Sequence, residues 1–577
     1  MRSIASVAAF ALLIAASSAP AFAAPPAYIQ APPLTQMSPA PVVGNVKAGP
    51  IELPIITWGG DIATIYANGN NRRTQKGSIF EREGLSVVLF REDDFTKQVR
   101  FYLEGRTPCL RGTKGMINMA AEIAARDPRT ELVEVYHLTW SVGGDAFGVR
   151  GDIKTPKDLK GKTIAVQAYG PHVDYLFRVL GDAGLSPKDV TIKWTKELTG
   201  GKEDPSSALR QDKSVHAAMV IIPDALELTS QGTVGTGAEG SVKGAKILLT
   251  TKTASRIIAD VYACRRDFYE ARRSDAEKLV HALMLADEAT QKVIREKSMN
   301  PAAYKALMTA AADILLDKPK DIAGAEGLYA DAESVGYRGN IQFYTNPTNP
   351  RSSAKLDDEI QPAFIAMGLM SKRVPIQRAQ WDYKRLAAGL ADTGGVEVPR
   401  FDPKEVAKVI DTRQKQGTLS EGELFSFEVY FKPEQKSFSV EQYADAFKKA
   451  IDLAATYGGA VLTVEGHSDP LWYLQRKAKG ATQFELSGIA QAAKNLSYAR
   501  AGSVRQSIVT FAKARGVTLD DTQFTTIGHG IMQSKGGMCG TDPCAPKTEQ
   551  EWRTNMRVEF RIIRVEAEAS VFAPIGR

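Results

Sequence analysis

Short apolar runs alternate with segments of helical periodicity between residues 51 and 395. The runs predict strands, and an amphipathic segment that ends before Gly184 predicts a helix. Strands that alternate with helices indicate parallel sheets covered on both faces. The predicted strands are 51–57, 85–90, 162–166, 190–194 and 217–222.

After residue 420 the pattern changes to that of a smaller unit. Alternating residues at 425–431 predict a half-buried strand, and the apolar helical face that follows stops at Gly458. The remaining pattern predicts a strand at 461–464, a second amphipathic helix over 496–511, and strands at 524–527 and 557–565. This order predicts a compact α/β sandwich.

Three segments lack both patterns. Residues 24–50 are rich in Pro and Ala and predict an extended, semi-rigid tether. Residues 396–420 are polar and predict a linker with one helical piece at 406–410. Residues 567–577 are a tail, so the predicted domains are 51–395 and 421–566.

The first 23 residues have the pattern of a secretory signal peptide. Arg2 precedes a short apolar stretch, and Ala21-Phe22-Ala23 forms a cleavage site, so the mature chain is predicted to begin at Ala24. The alternative is an uncleaved amphipathic helix. The apolar stretch is shorter than the ~20 residues that span a bilayer.

The charge and the cysteines narrow the class of protein. A net charge of +7 over 577 residues, with no Lys/Arg run, excludes a nucleic-acid stripe. Export permits disulfides. Cys539 and Cys544 flank a turn-forming stretch and are predicted to pair, whereas the sequence does not decide whether Cys109 and Cys264 pair. A four-cysteine zinc site is the alternative, which the spacing does not favour, and no metal is expected.

Three motifs after residue 420 carry a family resemblance. Gly466-His467-Ser468-Asp469 follows a strand, Leu496-Ser497-Tyr498-Ala499-Arg500-Ala501 opens the second helix, and Asn555-Met556-Arg557-Val558-Glu559 begins the last strand. Together, in this order, they resemble the OmpA-like peptidoglycan-binding domain. The resemblance implies a periplasmic protein held to the cell wall beneath the outer membrane.

The resemblance assigns peptidoglycan binding to Asp469 and Arg500. The ligand that it implies, a diaminopimelate stem peptide, offers an ammonium to a carboxylate and a carboxylate to a guanidinium. Arg500 is expected near the start of its helix, where free N–H groups favour an anion. The alternative is that the two residues pair with each other on the surface. His467 and His529 are interpreted as structural.

Three departures from the OmpA-like pattern bear on the geometry. Ala493 stands where the family usually has Asn, and Met556 where Arg is common. The loop from Asp469 to Leu496 is longer than usual by about 15 residues, counted against the family pattern. Its aromatic residues can pack over the ligand or cover the domain; they are Trp472, Tyr473 and Phe484.

Four stretches of residues 51–395 carry a second resemblance. They are 61–68, 77–85, 153–162 with Asp-Leu-Lys-Gly-Lys, and 183–190. They resemble type II periplasmic substrate-binding proteins of the nitrate, sulfonate and taurine class, also called thiamine-pyrimidine-synthase-like. This implies two α/β lobes with a ligand between them. Residues 300–326 look like an addition to the family pattern.

The ends of predicted strands select the ligand-binding candidates, because ligands sit beyond the C-terminal ends of strands in open α/β sheets. The candidates are Trp58, Gly60, Thr113, Tyr169, His172 and Asp224. Simpler interpretations compete: Trp58 as a core cap, Gly59-Gly60 as a turn, and Asp224 as a helix cap.

The sequence therefore predicts a non-enzymatic α/β protein without a cofactor: a two-lobed type II binding domain followed by an OmpA-like α/β sandwich. The resemblances imply a periplasmic receptor that binds a small anionic solute for an inner-membrane ABC permease and is anchored to peptidoglycan. The main alternative is a wall-bound scaffold whose N-terminal domain binds a protein. An enzyme acting on a wall precursor is the third interpretation. The thiamine-pyrimidine synthase branch is the enzymatic relative that the N-terminal resemblance implies, and the sequence shows no iron-binding constellation like that of this branch.

Overall fold

The computed structural model describes residues 26–36, 41–238, 240–392, 403–416, 423–431, 441–517 and 519–563. The predicted signal peptide, the predicted tail and most of the predicted linker lie outside these residues. Within them, no helix combines the length and apolar character needed to cross a membrane.

The first lobe begins with a parallel pair of strands and continues into a second sheet. Its first elements are β1 (Ile51–Ile55), α1 (Asp61–Ala67), α2 (Ile79–Arg82), β2 (Val87–Arg91), α3 (Phe95–Leu103), β3 (Cys109–Thr113), α4 (Lys114–Ala124) and β4 (Leu132–Ser141). β1 pairs with β2 in parallel. Every residue of β4 is buried, which places this strand at the centre of the lobe.

The chain then crosses at residues 142–144 to the second lobe. Its elements are β5 (Asp145–Val149), β6 (Thr163–Gln167), α5 (Val173–Asp182), β7 (Thr191–Thr195), α6 (Pro205–Gln211), β8 (Ala217–Ile221), α7 (Ile222–Leu228) and β9 (Lys246–Thr250). The strand order is β7-β6-β8-β5-β9. β5 runs antiparallel to both neighbours, so the expected all-parallel sheet is wrong at this edge.

A second crossing, residues 251–258, returns the chain to the first lobe. The remaining elements there are β10 (Ala259–Arg265), α8 (Arg266–Ala271), α9 (Arg273–Arg295), α10 (Pro301–Leu316), α11 (Ile322–Ala330), β11 (Ala332–Ser334), α12 (Gly336–Thr345), α13 (Ser353–Ala366), β12 (Gln377–Arg378) and α14 (Tyr383–Leu386). The sheet order is β11-β4-β10-β3, with antiparallel pairs along this path, so the expected parallel sheet is wrong here too; β12 pairs with β4 in parallel. Cys109 and Cys264, opposite each other on β3 and β10, form a disulfide.

The C-terminal unit is a four-stranded sheet with helices on it. Its elements are α15 (Pro403–Gln416), β13 (Glu423–Tyr430), α16 (Ala444–Thr456), β14 (Val461–His467), α17 (Leu471–Ala478), α18 (Gln483–Lys513), β15 (Phe524–Gly530), β16 (Met538–Cys539), β17 (Asp542–Pro543), α19 (Glu549–Thr554) and β18 (Arg557–Ile563). The order is β13-β18-β14-β15, with β14 and β15 parallel. Cys539 and Cys544 form a disulfide at the small β16-β17 hairpin.

Both faces of the C-terminal sheet are covered. Alternate residues of β14 point to opposite faces, and Leu462 and Val464 pack with apolar residues of α16 and α18 in one core. On the other face Val406 and Ile410 of α15 pack against Ile527 and its neighbours. The helical piece predicted at 406–410 is therefore part of α15, which packs on this sheet.

Candidate functional site

The two lobes meet through side chains that lie at the ends of strands and at the crossings. Trp58, which follows β1, donates a hydrogen bond from Nε1 to Thr139 Oγ1 at 3.0 Å. Its ring lies so close to Gly144 that a Cβ there would come within 2.6 Å of it. Trp58 thus reaches from the first lobe to the first crossing, and only glycine fits opposite it.

A hydrogen-bond network joins the crossings to the second lobe. Ser141 donates to Asp145 at 2.5 Å, and Thr251 Oγ1 accepts from the backbone N–H groups of Gly143 and Asp145. His172 Nε2 lies 2.7 Å from the other oxygen of Asp145. All four side chains are buried, so closure of the lobes is stabilised by hydrogen bonds that water cannot replace.

A second contact brings the N-terminal ends of α4 and α5 together. Asp174 in the first turn of α5 is buried, and its Cγ lies 2.9 Å from the ideal Cβ position of Gly115 in α4. Its Oδ2 has no hydrogen-bond partner among the described residues. Burial raises the pKa of Asp174 from 3.8 to about 7, against backbone N–H groups that lower it.

Asp331, at the end of α11, adds a further carboxyl group to the junction. Its Oδ1 lies 2.8 Å from the ideal Cβ position of Gly143. Burial, and secondarily the charge of Asp145, raises the pKa of Asp331 to about 7, although Lys252 opposes this shift. The junction therefore holds more carboxyl groups than the sequence predicted.

The helical hairpin of α10 and α11 covers the end of β1. The carbonyl oxygen of Leu328 would lie 1.9 Å from a Cβ on Gly59, so α11 packs directly on this turn. A cavity of about 20 Å³, room for about one water molecule, lies beside it. Its lining comes from the first lobe and from the residues around α11; it includes Gly60, Thr64, Thr139, Asp287 and Tyr329.

The structure brings only some of the predicted ligand-binding residues together. Trp58, Gly60 and His172 lie at the junction. Thr113 caps α4, since its Oγ1 accepts from the Met116 N–H at 3.2 Å. Asp224 lies in the first turn of α7. Burial raises its pKa, and a hydrogen bond with Thr199 only partly opposes this rise. Its neighbours belong to the second lobe alone.

Tyr169 is held in a left-handed conformation by the residues that precede the first lobe. Its φ is 58°, and its hydroxyl donates to the carbonyl oxygen of Pro32 at 2.6 Å. We call residues 26–36 the N-terminal strap, because they contact both lobes. The hydroxyl of Tyr28 donates to Asp212 of the second lobe, and Arg126 of the first lobe donates to the carbonyl oxygen of Thr35, both at 2.7 Å.

In the C-terminal unit, Asp469 follows β14 and Arg500 lies in the middle of α18. Asp469 Oδ1 accepts from the Leu471 N–H at 2.8 Å. Burial raises the pKa of Asp469, against the effects of this N–H and of Arg500, so the two charged groups lie near each other. The expected position of Arg500 near a helix start is wrong, because α18 begins at Gln483. The guanidinium is also buried, not on the surface.

The long loop predicted after Asp469 is helical for most of its length. It contains α17 and the first turns of α18. Tyr473 donates to Asp542 beside the Cys539–Cys544 disulfide at 2.8 Å, whereas Trp472 and Phe484 remain 58% and 89% exposed. The two exposed aromatic side chains therefore do not cover the core of this unit.

Sequence reasoning missed Asp145, Asp174 and Asp331. Asp145 opens a strand that runs antiparallel to its neighbours, so the rule for parallel strand ends did not select it. Asp174 follows the candidate His172 by two residues and could have been found as an acidic group in the first turn of α5. Asp331 lies five residues after the region interpreted as an addition, 300–326, and no local pattern marks it.

Comparison with protein families supports part of these predictions. The family model described as "NMT1/THI5 like" matches residues 74–294, from the first lobe through the second to α9. The match confirms the N-terminal resemblance over those residues. It does not extend to residues 421–566, for which the OmpA-like resemblance stays a prediction. No curated protein matches the chain.

Solved structures show a distant likeness to part of this chain. The alkanesulfonate-binding protein SsuA from Xanthomonas axonopodis pv. citri, bound to MOPS, is 17% identical with a TM-score of 0.38, and the match covers 58% of this chain and 100% of that chain. The periplasmic aliphatic sulphonate binding protein SsuA from Escherichia coli is 15% identical with a TM-score of 0.38, and the match covers 61% of this chain and 96% of that chain. The desulfurization enzyme DSZB is 14% identical with a TM-score of 0.34, and the match covers 59% of this chain and 96% of that chain. At these TM-scores the likeness carries no argument about ligand or activity.

Proposed function

We propose that residues 51–395 form a periplasmic solute-binding domain that closes its two lobes on a small molecule for an inner-membrane ABC permease. The observation that carries this proposal is the network of Ser141, Asp145, His172 and Thr251, which joins both crossings to the second lobe. Two lobes joined by two crossings can rotate about those crossings. The family match over residues 74–294 supports the same reading.

The charge of the junction favours a neutral or cationic solute over the anion that the sequence suggested. An anion bound at the junction would lie near the carboxyl groups of Asp145 and Asp331, which are close enough for the charge of Asp145 to raise the pKa of Asp331. Like charges in a site of low dielectric constant repel strongly. A solute with an ammonium or several hydroxyl groups would instead pair with these carboxyl groups.

A thermal-shift screen of the mature full-length chain tests the solute proposal. The ligands include taurine, nitrate, alkanesulfonates, pyrimidines, small carboxylates, primary amines and quaternary ammonium compounds. A solute at ~100 times its Kd should stabilise the chain by about 2.7 kcal/mol. We expect a cationic or neutral compound to stabilise the chain. Asp145→Asn should weaken this stabilisation, whereas Asp152→Asn, on the exposed surface of the same lobe, should leave it unchanged.

Refolding the chain from denaturant before the screen removes a solute carried through purification. If no compound stabilises the refolded chain, the receptor proposal loses its support. A hit confined to sulfonates or nitrate, equally strong in Asp145→Asn, would retain the receptor and overturn the proposed charge of its solute.

We also propose that residues 421–566 bind the diaminopimelate stem peptide of peptidoglycan through Asp469 and Arg500. The proposal rests on the sequence motifs and on the proximity of the two groups, at a half-buried carboxylate and a buried guanidinium. The strand order β13-β18-β14-β15 is compatible with it. A guanidinium can hold the carboxylate of the stem peptide through paired hydrogen bonds, while the carboxylate of Asp469 can pair with its ammonium.

Sedimentation with purified peptidoglycan tests the wall proposal. Because Arg500 is buried, conservative changes are preferable: we expect Asp469→Asn and Arg500→Lys each to reduce the bound fraction at least about tenfold, the loss of one charge-assisted contact. Asp445→Asn is the matched control, since Asp445 is fully exposed on the same unit. Equal sedimentation of all four proteins would overturn the assignment.

A wall-bound scaffold is the second candidate function. The observation that favours it is the covering of β1 by α11, beside a cavity of only about 20 Å³. If α11 occupies the solute position permanently, the N-terminal domain would recognise a protein through its surface. The thermal-shift screen separates the two, because a scaffold gives no solute response while it keeps its binding to the wall.

A further inference from the structure

Two histidines of the C-terminal sheet lie beside a glutamate on one face. Glu465 and His467 are two residues apart on β14, so their side chains point to the same side. His529 lies on β15, which pairs with β14 in parallel. All three residues are buried, and one ligand atom from each lies within 4.8 Å of the others.

The surroundings of Glu465 and His529 fix their orientation. Glu465 Oε1 accepts from Thr463 Oγ1 at 2.6 Å and from Arg561 Nε at 3.0 Å. Its other oxygen, Oε2, lies 2.8 Å from His529 Nε2. Gln414 of α15 lies 3.4 Å from His529 Nδ1. Hydrogen-bonded carboxylates and imidazoles of this kind are typical of the shell that orients metal ligands.

The burial of His467 is not explained by hydrogen bonds among the described residues. It is 1% exposed, and neither ring nitrogen has a hydrogen-bond partner among the described residues. Its ring stacks on that of His529 with 4.8 Å between centroids. Buried polar nitrogens are rarely left without a partner, which indicates that a further group completes this cluster.

We propose that Glu465, His467 and His529 bind a divalent transition-metal ion of the zinc class. Two imidazoles and a carboxylate are a known ligand set for Zn²⁺, at about 2.0–2.2 Å from the ion. The ion would take the place of the proton between Glu465 and His529. Glu559, whose Oε2 lies 3.7 Å from His467 Nε2, is placed to supply a fourth ligand.

The geometry requires only local side-chain rotation. Ligand atoms around a tetrahedral zinc ion are separated by about 3.3 Å, as follows from the bond lengths. The three atoms lie within 4.8 Å of one another, so they must approach by rotation about side-chain bonds. The carboxylate oxygen that Arg561 holds is not the one that faces His529, so this ion pair can persist when the metal binds.

Metal binding to the full-length chain, purified without a histidine tag and treated with a chelator, tests the proposal. The chain has six histidines, and His467 and His529 are the only two after residue 281. We expect one Co²⁺ per chain with visible absorption bands of tetrahedral coordination, displaced by one Zn²⁺. X-ray absorption of the zinc form should show two imidazole ligands. A wild-type chain without stoichiometric binding at micromolar metal would overturn the proposal.

Variants locate the ion. His467→Gln and His529→Gln should each abolish stoichiometric binding, and Gln414→Ala should weaken it about tenfold, as outer-shell changes do. His281→Gln, in the first lobe, is the matched control and should bind as the wild type does. Circular dichroism checks that each variant is folded. Undiminished binding by folded His467→Gln and His529→Gln would place the ion elsewhere and overturn the assignment, whatever the solute and peptidoglycan results.

Discussion

Buried carboxyl groups at the lobe junction differ in whether a cation faces them. Asp61 and Asp260 flank the buried guanidinium of Arg111 at 2.9 and 2.7 Å, so their charges are compensated. Asp174 has no such partner: its Oδ2 lacks a hydrogen bond among the described residues. Its burial therefore disfavours the ionised form, and closure of the lobes should depend on pH.

The pH dependence follows from the direction of the shift. Because burial raises the pKa of Asp174 in the fold to about 7, its contribution to stability is complete below the unfolded value of 3.8 and is lost as the pH rises through 7. We expect Asp174→Asn, which stays neutral, to unfold like the wild type in urea at pH 3.5, below the unfolded value, and to become the more stable of the two as the pH rises from there to 7. At pH 8 it should be more stable by about 1–3 kcal/mol, the usual penalty of an unsatisfied buried group.

The same unfolding series with Asp152→Asn provides the control, because Asp152 is exposed and paired with Lys162. Its stability should follow that of the wild type at both pH values. An Asp174→Asn variant that loses stability at pH 8 would show that the carboxylate is compensated in the fold.

At the scale of elements, the sequence predicted what local pattern specifies. The amphipathic face after His172 and the apolar run 217–222 appear as α5 and β8. β4 was missed because both of its faces are buried, so its sequence does not alternate between apolar and solvent-facing residues. Polar residues such as Glu134 and His137 are buried in it as well. The start of α18 was missed although Thr482 and Glu485 form a capping box there, which is a signal for a helix start in sequence.

The N-terminal strap shows the same limit for tertiary contacts. Its Pro-rich composition predicted an extended segment, whereas the strap includes a 3-10 turn at Leu34–Gln36, and composition does not indicate that the strap packs on the domain. Ile29 donates from its N–H to the carbonyl oxygen of Trp194 at 3.0 Å, and Leu34 is 1% exposed. Because these contacts involve both lobes, opening of the lobes requires part of the strap to detach.

Leu34→Ala tests the strap. We expect a loss of stability of about 2 kcal/mol, the lower end for truncation of a buried leucine, because the strap can adjust to the cavity. Hydrogen exchange should also accelerate at the crossing 251–258. Val42→Ala, at a side chain that is 84% exposed, is the control. If the two variants behave alike, the strap does not restrain the lobes.

At the scale of the whole molecule, the C-terminal unit docks on the crossing about which the lobes would rotate. The N–H of Arg256 donates to the carbonyl oxygen of Thr456, and the N–H of Gly459 to that of Thr253, both at 3.1 Å. Arg178 of the second lobe pairs with Asp452 at 2.5 Å and with Glu359 of α13 at 3.0 Å. These contacts bypass the predicted linker, so the proposed attachment to the wall and the proposed movement of the lobes would share one hinge.

Gly459→Ala should break this arrangement. An ideal Cβ on Gly459 would lie 1.7 Å from the carbonyl oxygen of Lys252, a backbone atom that cannot move aside alone. We expect the variant to undock the C-terminal unit, with an increased radius of gyration in small-angle scattering and faster hydrogen exchange at residues 251–258. Gly488→Ala is the matched control, since nothing lies within 4 Å of its Cβ position in α18. Glycine-to-alanine exchange in a helix stabilises by about 0.5–1 kcal/mol, so this control should remain docked.

Because coupling between sites is reciprocal, undocking should also change solute affinity, and peptidoglycan should alter that affinity only in the docked protein. Equal scattering by both variants would show that the interface tolerates the added methyl group and does not restrain the hinge.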